Sequence, residues 1–184
     1  MKTIYFVRHC QSDNTVHEDR VRPLTEKGLQ AAQRVTEFFR DIPVQRVVCS
    51  PYKRAMDTVG GVAAINGLCV ETDNDLRERA VGDWVEDFDA FAQKQWADLT
   101  FMMPGGESLQ GTMERNLAAL QRMLRHPAEV TVAGTHGTAL CTIIRAHEMG
   151  FGYEDFRKIQ KVMPWIVKFT FDGETLVSWE PMEF

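Results

Sequence analysis

Two histidines, two arginines and a glutamate in this chain have the types and spacing that phosphoryl transfer requires. Arg8 and His9 follow directly on the apolar run Ile4-Tyr5-Phe6-Val7, so a strand delivers both to its own end. Open α/β sheets hold their ligands at such strand ends. A histidine there can accept a phosphoryl group on a ring nitrogen, and an adjacent arginine can hold the phosphoryl oxygens. Arg54 falls in the first helical turn after a second apolar run, and His136 follows a third. Two guanidinium groups and a second imidazole around a nucleophilic His9 neutralise charge as the phosphoryl group moves. Glu78, in Leu76-Arg77-Glu78-Arg79, is the acid that the leaving oxygen needs, and it can then take a proton from water. Each residue alone has a structural reading, as a salt-bridged arginine, a capping histidine or a solvated glutamate. Their order, each at the end of a strand or in a turn, points to one shared pocket.

The elements that position these residues alternate along the chain. Residues 3–8 read as a buried strand, and Thr25 is the N-cap of a helix in which Leu29, Ala32, Val35, Phe38 and Phe39 recur at helical spacing. Residues 45–49 form a second strand, after which Ser50-Pro51 caps and starts a helix. Residues 69–71 read as a third strand before the turn that carries Glu78. Residues 107–125 place Met113, Leu117, Leu120, Met123 and Leu124 on one helical face, and 130–134 are another buried strand, followed by a helix to about residue 149. Residues 165–171 and 175–180 read as a β-hairpin around Asp172-Gly173. The pattern predicts an α/β fold, a three-layer α/β/α sandwich with a mostly parallel central sheet, in a single domain over residues 1–184. Residues 83–106 break the alternation with Trp84, Phe88, Phe91, Trp96, Phe101, Met102 and Met103 among several acids. They read as a lid-like excursion folded over the sheet edge.

Composition narrows the classes. A chain of 184 residues with 44% hydrophobic and 26% charged residues is long enough for a sizeable core. Its net charge of −5 gives no general attraction to nucleic acid or an anionic membrane, so an anionic substrate must be held by local positive charge. The start Met1-Lys2-Thr3 lacks the apolar length of a signal peptide, which predicts a cytoplasmic protein without a membrane segment. Cys10, Cys49, Cys69 and Cys141 have no CxxC or disulfide-framework spacing and read as reduced thiols, with Cys49 and Cys141 in the core and Cys10 lining the site. Cys10, Cys49 and Cys141 are not followed six residues later by the arginine of a cysteine phosphatase loop, since Val16, Ala55 and His147 stand there. The histidines His9, His17, His126, His136 and His147 form no short zinc-binding cluster, and His17, His126 and His147 read as solvated or structural.

With these motifs in order, the chain resembles the histidine phosphatase superfamily, with its phosphoglycerate-mutase-like fold. Val7-Arg8-His9 is similar to the nucleophile motif and Cys49-Ser50-Pro51-Tyr52-Lys53-Arg54-Ala55 to the second-arginine motif. Leu76-Arg77-Glu78-Arg79 with Gly82-Asp83-Trp84 resembles the acid motif, Pro104-Gly105-Gly106-Glu107-Ser108 a recurrent segment, and Thr135-His136-Gly137 the second-histidine motif. The resemblance implies that His9 is the nucleophile, that Arg8, Arg54 and His136 bind phosphate, and that Glu78 is the general acid and base. It implies a phosphatase acting on a small phosphorylated substrate or a phosphoprotein, with no metal or other cofactor. Mutase-type transfer and a non-catalytic phospho-ligand scaffold are the alternatives. The chain departs from most relatives at Cys10 and Gln11, which replace Gly and Glu, and at Thr15, which stands where the pocket asparagine is usual. Asn14, one residue earlier, is the candidate to bind substrate in its place. The short loop ending Arg22-Pro23-Leu24-Thr25 is similar to that of small phosphohistidine phosphatases, whereas the Gly82 and Gly105 segments resemble the alpha-ribazole phosphatase and broad phosphatase branch.

Overall fold

The computed structural model describes residues 1–83 and 85–184; Trp84, the last residue of the Gly82-Asp83-Trp84 motif, lies outside the described residues. Four strands run parallel: β1 (Lys2–Arg8), β2 (Arg46–Cys49), β3 (Val70–Thr72) and β4 (Val130–Thr135). Two more, β5 (Trp165–Asp172) and β6 (Thr175–Met182), add the antiparallel edge expected of the hairpin. The sheet order is β3-β2-β4-β1-β5-β6. Among the described residues there are six α-helices, α1 (Glu26–Phe38), α2 (Lys53–Ile65), α3 (Phe88–Ala97), α4 (Leu109–Arg125), α5 (Gly137–His147) and α6 (Tyr153–Ile159), and a 3-10 turn over Asn74–Leu76.

Strand alternation sorts side chains to two cores. Tyr5 and Val7 face α1 and α2, joining Val35, Phe39, Val59 and Val62. Ile4 and Phe6 face the other way, against Leu120 and Met123 of α4 and Leu140 and Ile143 of α5. The predicted three-layer architecture is therefore present, with the mostly parallel sheet in the middle.

Several boundaries differ from expectation. Thr25 caps α1 as expected, its hydroxyl accepting the Gly28 N–H at 3.0 Å. Ser50-Pro51 does not start α2, which begins at Lys53 with Tyr52 as N-cap, because the Ser50 hydroxyl is engaged by His136. Strand β3 lies one residue later than predicted, and α5 stops at His147, leaving Met149 exposed. The excursion carries α3, which periodicity did not reveal. Asp87 caps it by accepting the Ala90 N–H at 3.0 Å, and Phe91, Ala92 and Gln95 are its buried residues. Buried Gln95 donates to the carbonyls of Phe101 and Glu107 and accepts from Arg79. The Arg79 guanidinium lies over the rings of Phe88 and Phe91, and Trp96 packs on Phe151 and Phe156 beside α6. None of the described helices is long and apolar enough to cross a membrane.

Candidate active site

Sheet register brings the site together. Arg8 pairs with Thr135 at the ends of β1 and β4, and Cys49 pairs with Gly134 at the end of β2. The next residues in each chain segment are therefore neighbours: His9, His136 and Ser50. All three are buried. The His9 and His136 rings sit 5.2 Å apart between centroids, and Tyr52 closes on His136 at 5.1 Å.

The hydrogen bonds of His9 determine its reactive atom. Nδ1 lies 2.7 Å from the Cys10 carbonyl oxygen, which can only accept, so Nδ1 carries the ring proton. Burial, and then the positive charge of Arg54, push the His9 pKa down to about 3. The imidazole is consequently neutral and Nε2 holds a free electron pair. Arg54 Nε donates to that pair at 3.2 Å. The loop behind the ring is pinned as well: Cys10 N–H donates to Thr58 Oγ1 at 2.9 Å, and that hydroxyl donates to the Arg54 carbonyl.

His136 is fully buried, and burial together with His9 and Arg54 lowers its pKa well below the usual value. Its Nε2 lies 2.8 Å from Ser50 Oγ, which also accepts the Tyr52 N–H. When Ser50 donates its own proton to Nε2, Nδ1–H is left as a donor, and Nδ1 has no partner among the described residues. Arg8 is in the same condition. It gives Nη1 to the carbonyls of Ile159 and Val162 and Nη2 to that of Gln160, yet its buried Nε is unpartnered. Gly137 makes room for this guanidinium, since a Cβ there would stand 2.9 Å from Arg8 Cζ. A buried donor without a partner costs about 1–3 kcal/mol. Arg8 Nε and His136 Nδ1 are complementary to the oxygens of a bound phosphoryl group.

Glu78 is brought to the same end of the sheet, but by docking on α5. Its oxygens accept the N–H groups of Arg79, Thr138 and Ala139 at 2.9–3.0 Å. Arg115 holds the segment that carries it, donating to the carbonyls of Asp75, Arg77 and Glu78. Glu107, from the Pro104-Gly105-Gly106-Glu107-Ser108 motif, orients Arg115 in turn. Burial acts to raise the pKa of Glu107, but the hydrogen bonds from Arg115 and the Ala80 N–H outweigh it and hold the carboxyl below its ordinary value.

Two readings of the nucleophile loop change. Asn14 stands at the exposed tip of a turn in which Asp13 Oδ1 accepts both the N–H and the hydroxyl of Thr15, and it forms no hydrogen bond with the site. Cys10 does not line the site with its thiol, which is buried in the core beside α1 and pushed up to about 11 by burial. Only its backbone serves His9. Asp19 and Arg22, which sequence reasoning did not single out, do face the site: Asp19 Oδ1 is 3.0 Å from Arg54 Nη1 and 3.3 Å from Arg22 Nη1. The signal was there in Asp19-Arg20-Val21-Arg22, an acid three residues before a base in a loop adjoining the nucleophile.

Residues 4–180 match the histidine phosphatase superfamily (branch 1). The chain belongs to that family. It is 34% identical over 176 residues to phosphoglycerate mutase-like protein 4 of Arabidopsis thaliana, covering 85% of this chain and 73% of that one. Among solved structures, YhfR of Bacillus stearothermophilus superposes with a TM-score of 0.76 at 25% identity, covering 96% of this chain and 94% of the other. A mycobacterial glucosyl-3-phosphoglycerate phosphatase shares the fold at a TM-score of 0.72 and 21% identity, covering 98% and 96%. Membership of this family supports a phosphatase-type enzyme.

Two outcomes follow from the electrostatics of this family member. Replacing Asp19 with Asn removes a carboxylate that competes with phosphate for Arg54, while the Asp19 carbonyl and His9 still hold the guanidinium. Inorganic phosphate is expected to inhibit the variant about threefold more tightly, the scale of one half-exposed ion pair; weaker inhibition would make Asp19 an anchor instead. The second concerns stability. Folded His9 takes a proton only near pH 3, the unfolded chain near 6.5, so its contribution is complete above 6.5 and is lost as pH falls from 6.5 through 3. Each such histidine adds a slope of about 1.4 kcal/mol per pH unit inside that window. Urea titrations from pH 7 to 4 should show the slope, and His9→Asn should flatten it; an unchanged slope would refute the buried neutral state.

Proposed function

We propose that this protein is a metal-independent phosphatase that hydrolyses a phosphomonoester through a phosphohistidine on His9. The observation that carries the reading is the pair of buried nitrogens without a partner among the described residues, Arg8 Nε and His136 Nδ1, together with a neutral His9 imidazole whose Nε2 lone pair is free of a proton.

Arg54 turns its N–H from Nε2 to a phosphoryl oxygen as substrate enters. The Nε2 electron pair then forms an N–P bond, the ester P–O bond breaks, and its electron pair leaves with the alcohol oxygen. Glu78 protonates that oxygen. In the second half, Glu78 takes a proton from water, the water oxygen bonds to phosphorus, and the N–P electrons return to Nε2. Arg8, Arg54 and His136 hold the three equatorial oxygens throughout. A burial-raised thiol pKa of about 11 makes Cys10 a poor competing nucleophile.

The test is phosphate release from p-nitrophenyl phosphate with excess EDTA. Turnover undiminished by the chelator is expected, whereas its abolition would overturn the metal-independent mechanism. With 3-phosphoglycerate as substrate, isomerisation without phosphate release would favour the mutase alternative.

A further inference from the structure

His136 and Ser50 are both fully buried, and Ser50 Oγ lies 2.8 Å from His136 Nε2. The same oxygen accepts the Tyr52 N–H at 3.3 Å. The other ring nitrogen, Nδ1, is buried with no partner among the described residues. Burial, followed by the neighbouring His9 and Arg54, keeps the ring neutral, so one nitrogen carries a proton and the other an electron pair. The choice between them decides whether the ring donates at Nδ1 or presents a lone pair there.

Neighbouring groups bias that choice at both nitrogens. If Nε2 carried the proton, it would donate to a Ser50 oxygen that already accepts from Tyr52, and the Ser50 hydroxyl proton would have no acceptor among the described residues. The Nδ1 electron pair would be stranded as well. His136 is the N-cap of α5, where a side chain ordinarily accepts the N–H of the second or third helical residue. Those groups belong to Thr138 and Ala139, and both donate to Glu78 instead. With the proton on Nδ1, Ser50 donates to Nε2 and accepts from Tyr52, so both functions of its hydroxyl are used. Two stranded buried groups disfavour the Nε2–H form by on the order of tenfold or more. Ser50 is itself held in place, because its N–H donates to the Gly134 carbonyl at 2.9 Å. Its hydroxyl is withheld from α2, which starts without a side-chain cap.

We propose that Ser50 is a positioning residue for phosphoryl transfer: by donating its hydroxyl proton to Nε2 it holds His136 as the Nδ1–H tautomer, a donor to the phosphoryl oxygens. The inference rests on the phosphatase reading and assigns the proton on which the His136 contribution depends. The opposite tautomer would set an electron pair against negatively charged oxygens and replace attraction by repulsion. Glu78 supports the same state, since it occupies the two N–H groups that an Nδ1 electron pair would otherwise accept.

The first measurement uses the parent protein, isotopically labelled at its histidine nitrogens. Long-range proton–nitrogen correlation spectra, with the His136 ring assigned by its disappearance in His136→Ala, should show the proton on Nδ1. A proton on Nε2 would overturn the proposal. Ser50→Ala should let the Nε2–H form appear, lower kcat/KM for p-nitrophenyl phosphate by about thirtyfold and weaken inhibition by inorganic phosphate about tenfold. Combining Ser50→Ala with His136→Ala tests whether Ser50 acts through that ring: the double variant should be no slower than His136→Ala alone. An undiminished further loss in that background would make Ser50 a support of the Tyr52 turn and reject the tautomer role. The readouts also separate this claim from the catalytic one. A protein with Nδ1–H on His136 and Ser50-dependent phosphate affinity, but no phosphate release from any ester, would reject the phosphatase reading and support the Ser50 assignment. An active protein whose His136 tautomer is the same in Ser50→Ala would reject the Ser50 assignment alone.

Discussion

Replacing His9 with alanine is expected to lower kcat/KM for p-nitrophenyl phosphate by about five orders of magnitude. The loss is large because no other group in the site offers an electron pair in the same place. His136 Nε2 is occupied by Ser50, and the Cys10 thiol is buried in the core. Phosphate affinity should survive. Arg8, Arg54 and His136 remain, and Arg54 Nε, which donates to His9 Nε2 in the resting site, becomes free for an oxygen. Steady-state kinetics with phosphate as a product inhibitor would separate the two effects. Turnover within about tenfold of the parent protein would transfer the nucleophile's role to another residue.

Replacing Glu78 with glutamine is expected to cost about two to three orders of magnitude on an alkyl phosphate and much less on an aryl phosphate. An alkoxide leaves poorly without a proton, whereas p-nitrophenolate leaves unaided. The structure adds a second effect. Three backbone N–H groups point at the Glu78 oxygens, and a carboxamide would turn its own N–H groups toward some of them. A loss of about 1 kcal/mol in unfolding stability should accompany the substitution, measurable by urea titration. An equal rate loss for alkyl and aryl leaving groups would assign Glu78 to holding α5 rather than to proton transfer.

Residues whose function depends on the strand ends were legible in the sequence. Arg8, His9, Arg54 and His136 follow short apolar runs that read as buried strands, and alternating β-α order brings such ends together. What was not legible depended on long-range partners. Ser50 reads as a helix cap, but its hydroxyl meets His136, 86 residues away. Arg8 reads as a phosphate ligand alone, but it also holds the 159–162 segment, a contact across more than 150 residues. Asn14 reads as a pocket residue by its distance from the nucleophile, whereas in the fold it is an exposed residue of the turn that Asp13 and Thr15 close. Helix α3 was hidden because its apolar residues are spread around the helix, where Phe88 and Phe91 meet Arg79 and Trp96 meets α6.

The most direct test of the central claim is chemical trapping of the intermediate. Protein mixed with an aryl phosphate, quenched within milliseconds into alkali and digested for mass spectrometry should carry one phosphate on His9, bonded to Nε2. The modification should be acid-labile and should accumulate when Glu78 is replaced by glutamine, which slows attack by water. Phosphate release without any phosphorylated His9 peptide, or with phosphate on another side chain, would contradict the account.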